Sequence, residues 1–202
     1  MCKISLNISK PKEKLKAGES KLFGNPDVWD GFIWPSVREN GAEYDLTFMC
    51  QINCEQASAF DESGILPKTG ILYFFYDLDT MPELSDAGSA RVLWYNGELS
   101  ALHEMILTDE DGNSLAFSEQ RIDFDVADAD EKSSHLLLGD MTQSCDFIKD
   151  YLPLLRIGSL ETEDAEIRFQ DDGALCFYIE KEKLGACDFS EVKAVQRSCE
   201  ER

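Results

Sequence analysis

The chain is short of basic residues and contains only two histidines, His103 and His135. Against 40 Asp and Glu it has 19 Lys and Arg, which gives a formal net charge of −21 at pH 7. Binding to nucleic acid or to an anionic membrane requires Lys and Arg that neutralise phosphates, so the composition argues against both partners. A basic protein is the kind of partner that this charge favours.

The charge is unevenly distributed along the chain. The first 21 residues contain six Lys and two Glu, a net charge of +4, which leaves −25 for residues 22–202. Residues 10–20 are polar and rich in Lys, with Pro11 and Gly18, and we interpret them as a surface loop or a frayed helix. The body of the protein is therefore more acidic than its total charge suggests.

The sequence also lacks a long apolar run. No stretch approaches the roughly 20 residues that span a bilayer, and no apolar segment precedes a cleavage site near the N-terminus. The seven Cys are an odd number with no regular spacing, so they do not suggest a disulfide framework. These absences predict a soluble protein of the reducing cytoplasm.

Catalytic and cofactor-binding motifs are missing as well. The sequence has no Gly-x-Gly-x-x-Gly, no phosphate-binding loop and no Gly-x-Ser-x-Gly elbow. We therefore expect no cofactor, and a non-catalytic protein is favoured over an enzyme. The catalytic residues of an enzyme could not be named from the sequence.

Two stretches invite a metal-site interpretation and fit it poorly. Cys50 and Cys54 are four residues apart, but a structural zinc site needs two such pairs or a pair with two suitably spaced His. The stretch 109–120 resembles a calcium loop, yet Gly112 occupies position 4 and Gln120 occupies position 12. We expect no metal site, with buried free Cys, a hairpin turn at 109–113 and a solvated acidic face at 123–131.

The most informative stretch is the run of β-branched and aromatic residues from Ile71 to Tyr76. It is bounded by turn residues and acidic residues, which predicts a central strand that is buried on both faces. The pattern Gly-x-Leu-x-Phe-aromatic-x, starting at Gly70, recurs about a hundred residues later from Gly173. This repetition predicts that the chain consists of two related halves.

Other patterns predict the neighbouring elements. Alternation predicts short strands over residues 3–8 and 121–126, and apolar runs predict strands over 46–53, 90–95 and 154–157. Asn53 with Gln56 has the spacing of a capping box that opens a helix through Phe60. Three hairpins are predicted, at Asn96-Gly97, across 109–113, and between 166–169 and 174–179.

The linking segments are less regular. Residues 127–134 are polar and short-chained, which predicts a flexible connector between the halves. Thr142 has the position of a cap for a helix that runs to about Leu152 and ends at Pro153. The tail from Ser190 is compatible with either a helix or a strand edge.

Four residues form a candidate binding surface: Trp29, Trp34, Trp94 and His135. Aromatic side chains contribute large contact areas at interfaces, although packing in the core is the commoner role for them. His135 is a candidate general base, against a commoner role in a turn or in packing.

Six short motifs resemble the YwqG-like family, a bacterial domain of unknown function. In order they are Ser20-Lys-Leu-Phe-Gly-x-Pro, Trp34-Pro35, Phe48-Met-Cys-Gln-Ile-Asn, Leu66-Pro67-x-x-Gly-x-Leu-x-Phe-Phe, His135-x-Leu-Leu-Gly, and Gly173-x-Leu-x-Phe-Tyr-Ile with Asp188-Phe-Ser. The resemblance implies an α+β fold with an internal duplication, and no established activity. It also suggests a link to bacterial toxin–immunity loci, because some members are associated with them.

Together these observations predict an α+β fold of mostly antiparallel sheets with few short helices. One domain over 1–202 would contain two strand-helix-hairpin halves, at about 20–79 and 135–189, joined by a β-rich middle segment. The favoured function is protein interaction in an immunity-like or regulatory role, through an acidic surface that binds a basic protein. The alternative is a small-ligand-binding protein or enzyme with a cleft between the halves. The oligomeric state is not predicted.

Overall fold

A computed structural model describes residues 3–84, 88–127, 134–138 and 151–198. In these ranges the chain forms mostly short β-strands. The strands are β1 Ile4–Ser9, β2 Lys21–Leu22, β3 Asp27–Val28, β4 Ser36–Glu39, β5 Ala42–Asp45, β6 Thr47–Asn53, β7 Ile71–Tyr76, β8 Ala90–Tyr95, β9 His103–Glu104, β10 Gln120–Val126, β11 Leu136–Leu137, β12 Tyr151–Gly158, β13 Leu160–Glu161, β14 Glu166–Ile167, β15 Ala174–Glu180 and β16 Lys193–Arg197. The α-helices of these ranges are α1 Cys54–Ser58 and α2 Lys181–Gly185.

One large sheet dominates the described part of the fold. Its ten strands follow the order β16-β15-β12-β11-β1-β10-β2-β6-β7-β8, and every neighbouring pair is antiparallel. Three separate two-stranded sheets pair β3 with β9, β4 with β5, and β13 with β14. The described helices have five residues each, and neither is long and apolar enough to cross a membrane.

The large sheet curls until its two edges nearly meet. The backbone N–H of Gln196 on β16 donates to the carbonyl of Glu83 at 2.8 Å, and Leu84 forms a β-bridge with Val195. Across the interior, the rings of Phe74 and Phe177 are 5.2 Å apart. The result is a nearly closed barrel whose core is filled from opposite walls.

β7 and β15 are the second strands from the two edges of this sheet. All six residues of β7 are buried, which confirms the predicted strand and its two buried faces. Leu72, Phe74 and Tyr76 point into the barrel core, and Ile71, Tyr73 and Phe75 pack in a second cluster outside it. β7 is paired on both sides, with β6 and β8, but it does not lie in the middle of the sheet. The two middle strands are β1 and β10.

The predicted α+β class is wrong. The structure is mostly antiparallel β, with 43% strand and 9% helix, and it is organised as one curled sheet. A strand-helix-hairpin unit does not repeat either. The repeated sequence pattern forms β7 in one predicted half and β15 in the other, but the helix α1 precedes β7 whereas the helix α2 follows β15. The expectation of mostly antiparallel sheets with few short helices is confirmed.

Two of the predicted hairpins are wrong, because each turn leads to a more distant pairing. After Asn96-Gly97 the chain passes to β9, which pairs with β3 and not with β8. β14 pairs with β13 and not with β15, because β15 pairs with β12 on one side and with β16 on the other. The third hairpin is confirmed, since Thr108 and Ser114 form a bridge around the turn at 109–113.

The predicted cap of α1 is confirmed, but the reciprocal half of the capping box is not formed. Asn53 Oδ1 accepts the backbone N–H groups of Glu55 and Gln56. The Gln56 side chain turns instead to Ser20, whose hydroxyl donates to Gln56 Oε1 at 2.8 Å. The helix ends at Ser58, two residues earlier than predicted.

The region around Pro153 also differs from the prediction. Leu152 and Pro153 lie in β12 beside an irregularity between Pro153 and Leu155, a position where a strand tolerates a residue without a backbone N–H. They therefore do not end a helix. The predicted helix residues 142–150 and most of the predicted connector, 128–133, lie outside the described residues. The ambiguous tail forms strand β16.

A buried ion pair joins the loop before β2 to the strands around it. Lys21 Nζ lies 3.2 Å from Asp27 Oδ2, and both side chains are almost fully buried. Asp27 Oδ2 also accepts the Gly18 N–H at 3.0 Å and the Gln51 side-chain N–H at 2.6 Å. The Tyr73 hydroxyl donates to the Asp27 carbonyl at 2.5 Å. Four segments are thereby fixed around Asp27.

Replacing Lys21 by Met should destabilise the protein by about 3 kcal/mol, because it leaves the Asp27 carboxylate buried without its counter-charge. Lys14→Met provides the matched control, since its exposed pair with Glu104 should contribute less than about 1 kcal/mol. Chemical denaturation measures both differences. Equal losses in the two variants would contradict a special role of the buried pair.

Candidate functional site

A cavity of about 570 Å³ lies between the loop that follows α1 and the region of α2. Its walls are residues 63–67 on one side and Lys181, Leu184, Gly185 and Cys187 on the other. These segments come from opposite ends of the large sheet and belong to the two predicted halves. A cleft was expected between the halves, and neither His135 nor residues 29–35 line this cavity.

The Asp61 carboxylate shapes the first wall. Its Oδ1 accepts the Ser63 backbone N–H at 3.0 Å and the Ser63 hydroxyl at 2.5 Å, and its Oδ2 accepts the Leu66 N–H at 2.8 Å. Gly64 adopts a positive φ of 63°, which glycine accommodates without steric strain. The loop is therefore held rigidly, although the buried Asp61 itself does not line the cavity.

The second wall brings an amine and a thiol to the cavity. Lys181 is exposed at the rim, and Leu184 is buried beneath it. Cys187 is partly exposed, with a φ of 54°, and its N–H donates to the Leu184 carbonyl at 3.0 Å. With apolar walls and a single ammonium group, the cavity is suited to a small apolar molecule that carries a negative group.

The other described cysteines are buried and unreactive in character. Burial and, to a smaller extent, the neighbouring Cys187 raise the pKa of Cys54 to about 12. Burial also raises the pKa of Cys176 to about 12 and that of Cys50 well above its usual value. Cys50 and Cys54 lie on β6 and at the start of α1. The described residues contain no group of three His, Cys, Asp or Glu placed to hold a metal ion.

Trp29 and Trp34 lie together in an aromatic layer on the outer face of β7. Trp29 stacks on Tyr95 at 4.8 Å, and Trp34 meets Phe75 edge-on at 5.4 Å. The Trp34 indole N–H donates to the Leu46 carbonyl at 2.8 Å. These rings pack in the cluster outside the barrel, and a role for them in binding stays a prediction.

Trp94 and His135 lie elsewhere, so the structure does not bring the four candidates together. Trp94 packs against the barrel core, with its ring 6.4 Å from that of Phe189. His135 Nδ1 accepts the Gly158 N–H at 3.3 Å. Burial, assisted by the charge of Arg156, lowers the pKa of His135 to about 4. The imidazole is therefore neutral at pH 7.

The turn at 109–113 is organised by Asp109. Its Oδ1 accepts the backbone N–H groups of Asp111 and Asn113 at 2.9 and 2.8 Å. The side-chain and backbone hydrogen bonds from Asn113 lower the pKa of the Asp109 carboxyl. This carboxylate is thus committed to a hairpin turn, as the poor match to a calcium loop suggested.

The acidic charge is almost entirely on the surface. Of the acidic side chains in the described residues, only Asp27 and Asp61 are buried. One prominent exposed group is the stretch 160–172, which we name the acidic segment, and it includes β13 and β14. Its acidic residues are Glu161, Glu163, Asp164, Glu166, Asp171 and Asp172. Six acidic residues among thirteen positions are a signal that is already visible in the sequence.

The low pKa of His135 should make folding stability fall with acidification. The unfolded chain binds a proton at this His near pH 6.5, whereas the folded protein does so only near pH 4. Stability is therefore lost progressively between these values. Between pH 7 and pH 5 the free energy of unfolding of His135→Asn, which retains a hydrogen-bond acceptor, should fall by about 2 kcal/mol less than that of the original protein. Denaturation at both pH values measures this, and parallel losses would contradict it.

Alkylation of the folded protein should distinguish the cysteines. Iodoacetamide at pH 8 should label Cys187 at least tenfold faster than Cys50, Cys54 and Cys176, because Cys187 is partly exposed and lines the cavity whereas the other three are buried. Peptide mass spectrometry assigns each site, and labelling in denaturant provides the reference. Equal rates in the folded state would show that the cavity wall opens readily.

The comparisons with known proteins address the family and leave the chemistry open. A model described as a domain of unknown function, DUF1963, matches residues 20–197. No curated protein matches the chain. The matched range runs from the residue before β2 to the last residue of β16, and so includes both walls of the cavity and the acidic segment. The chain therefore belongs to the family of domains of unknown function DUF1963.

Proposed function

We propose that the protein is a non-catalytic interaction protein that binds a basic partner protein through its acidic surface. The observation that supports this is the exposure of the acidic side chains, which leaves a strong negative field outside a body of net charge −25. Such a field accelerates encounters with a positive surface and disfavours partners of like charge. A regulatory or immunity-like role in the bacterial cytoplasm follows from the resemblance to the YwqG-like family.

The acidic segment is the preferred contact region within that surface. Its carboxylates are exposed, and Arg168 offsets part of their charge through contacts with Glu166 at 2.7 Å and Asp172 at 3.1 Å. Glu163 and Asp164 contact Lys10 and the Ser118 backbone. Glu161 and Asp171 make no ion pair with other described residues, so they are available to a partner.

Binding of the natural partner should weaken steeply with salt and depend on the acidic segment. A partner captured from native lysate, then purified, should bind at least tenfold more weakly at 300 mM than at 50 mM NaCl. Glu161→Gln with Asp171→Asn should weaken binding several-fold. Glu39→Gln with Glu98→Gln removes the same charge from exposed positions elsewhere and should have a smaller effect. Salt-insensitive binding, or equal effects of the two pairs, would contradict the proposal.

The cavity supports a second function, the binding of a small apolar ligand with a negative group. In this alternative Lys181 holds the anionic group and residues 63–67 enclose the apolar part. A small-molecule screen by thermal shift would identify binders, which should also slow the alkylation of Cys187. Lys181→Ala should weaken the binding of these molecules, and Lys68→Ala, which lies outside the cavity, should not. Binders that leave Cys187 labelling unchanged would place their site elsewhere.

A further inference from the structure

The Lys-rich stretch of residues 10–16, which we name the basic strap, is ordered and lies against acidic groups. It begins where β1 ends at Ser9. At its other end Leu15 is buried, and the backbone N–H of the nearby Gly18 donates to the buried Asp27 carboxylate. A surface loop or a frayed helix was expected here, and the segment is a loop. Buried contacts fix this loop more firmly than its polar sequence predicted.

Two of its lysines contact the acidic surface directly. Lys10 Nζ lies 2.7 Å from Glu163 Oε1 in the acidic segment, and Lys14 Nζ lies 2.5 Å from Glu104 Oε2 on β9. Between the strap and residues 118–120 runs a groove of about 330 Å³, with Glu119 and Glu163 among its lining residues. The strap therefore spans from β9 to the acidic segment and forms one wall of this groove, while the opposite wall carries Glu119 and Glu163.

The charged side chains of the strap are held much more weakly than the backbone at its two ends. The side chains of Lys10 and Glu163 are each about two-thirds exposed, and ion pairs of this kind contribute little because water and salt screen them. The hydrogen bond between Lys14 and Glu104 raises the pKa of the Lys and lowers that of the Glu. Neither pair belongs to the large sheet, so both can separate without breaking a strand pairing.

The sequence of the strap has the character of a basic ligand. Lys10, Lys12, Lys14 and Lys16 occur at every second position. In an extended chain, alternate side chains point to the same side, so such a segment offers a row of positive charge to an acidic groove. The chain thus carries on its own surface the kind of segment that its net charge favours as a partner.

We infer that the basic strap is an exchangeable internal cover of the acidic face that carries Glu104, Glu119 and Glu163, and that a Lys-rich extended segment of the partner displaces it from Glu104 and Glu163. The inference rests on the proposed function and specifies the binding face, the chemistry of the partner segment and an autoinhibitory contact. Removing the strap charges should therefore expose the groove and increase its affinity for a basic peptide.

The test uses the strap sequence itself as a probe, a capped and fluorescently labelled peptide of residues 9–17 added to the full chain. Lys10→Gln, Lys12→Gln and Lys14→Gln together should increase its affinity at least fivefold at 50 mM NaCl, as measured by anisotropy. The control with Arg38→Gln, Lys68→Gln and Arg91→Gln changes the net charge equally at other exposed positions. It should leave the affinity within twofold of the original.

Adding Glu104→Gln and Glu163→Gln to the strap variant should reverse the gain. Equal peptide affinities in the strap variant and the control would show that net charge alone determines the affinity, and would overturn the inference. Retained affinity after the two Glu substitutions would do the same. Salt-sensitive binding of a natural partner that is unaffected by the strap substitutions would leave the proposed function standing without the strap. If the strap variants behave as expected towards the peptide but no salt-sensitive natural partner is found, the strap inference would be supported and the proposed function would be contradicted.

Discussion

The buried contact between Lys21 and Asp27 is the constraint on which the surrounding structure depends. β2 has only two residues, yet it connects β10 to β6 in the large sheet. Two residues of strand pairing are a weak link by themselves. The Asp27 carboxylate strengthens it by holding Lys21 of β2, Gln51 of β6 and the Gly18 backbone at once. Glu119, 3.6 Å from Lys21, extends the same cluster towards β10. The end of the basic strap is anchored by this cluster as well.

The strands that the sequence predicts well are those in which burial alone determines the pattern. β7 reads as a continuous run of apolar and aromatic residues because a second aromatic layer covers the face that would otherwise meet solvent. That covering also explains why Trp29 and Trp34 resemble a binding platform in the sequence and prove to be packed in the structure. β8 has the predicted bounds, 90–95, for a related reason, since its alternate residues face the core and the outer layer.

Pairings between distant segments could not be predicted, because local turn residues do not encode them. Asn96-Gly97 is a favourable hairpin turn, but β9 gains its partner from β3, about 75 residues earlier in the chain. The Gly at the start of the second repeat suggested a turn for a similar reason, whereas its backbone approaches that of Arg197 too closely for any side chain. The cavity was equally hidden, since Pro67 and Lys181 are more than a hundred residues apart. The acidic segment, by contrast, is visible in the sequence as a local run of carboxylates, which a net charge summed over the whole chain conceals.

The place where the two edge strands of the large sheet, β8 and β16, approach each other, which we name the seam, affects how the fold tolerates altered strand lengths. In a barrel closed entirely by strand pairing, the strand number, tilt and stagger must agree around the whole circumference. Here residues 83–84 complete the circumference at one edge, in place of direct pairing between β8 and β16. The loop absorbs the mismatch that a strict geometry would forbid. Ten strands of two to eight residues thus share one wall, and an altered strand length is taken up at the seam.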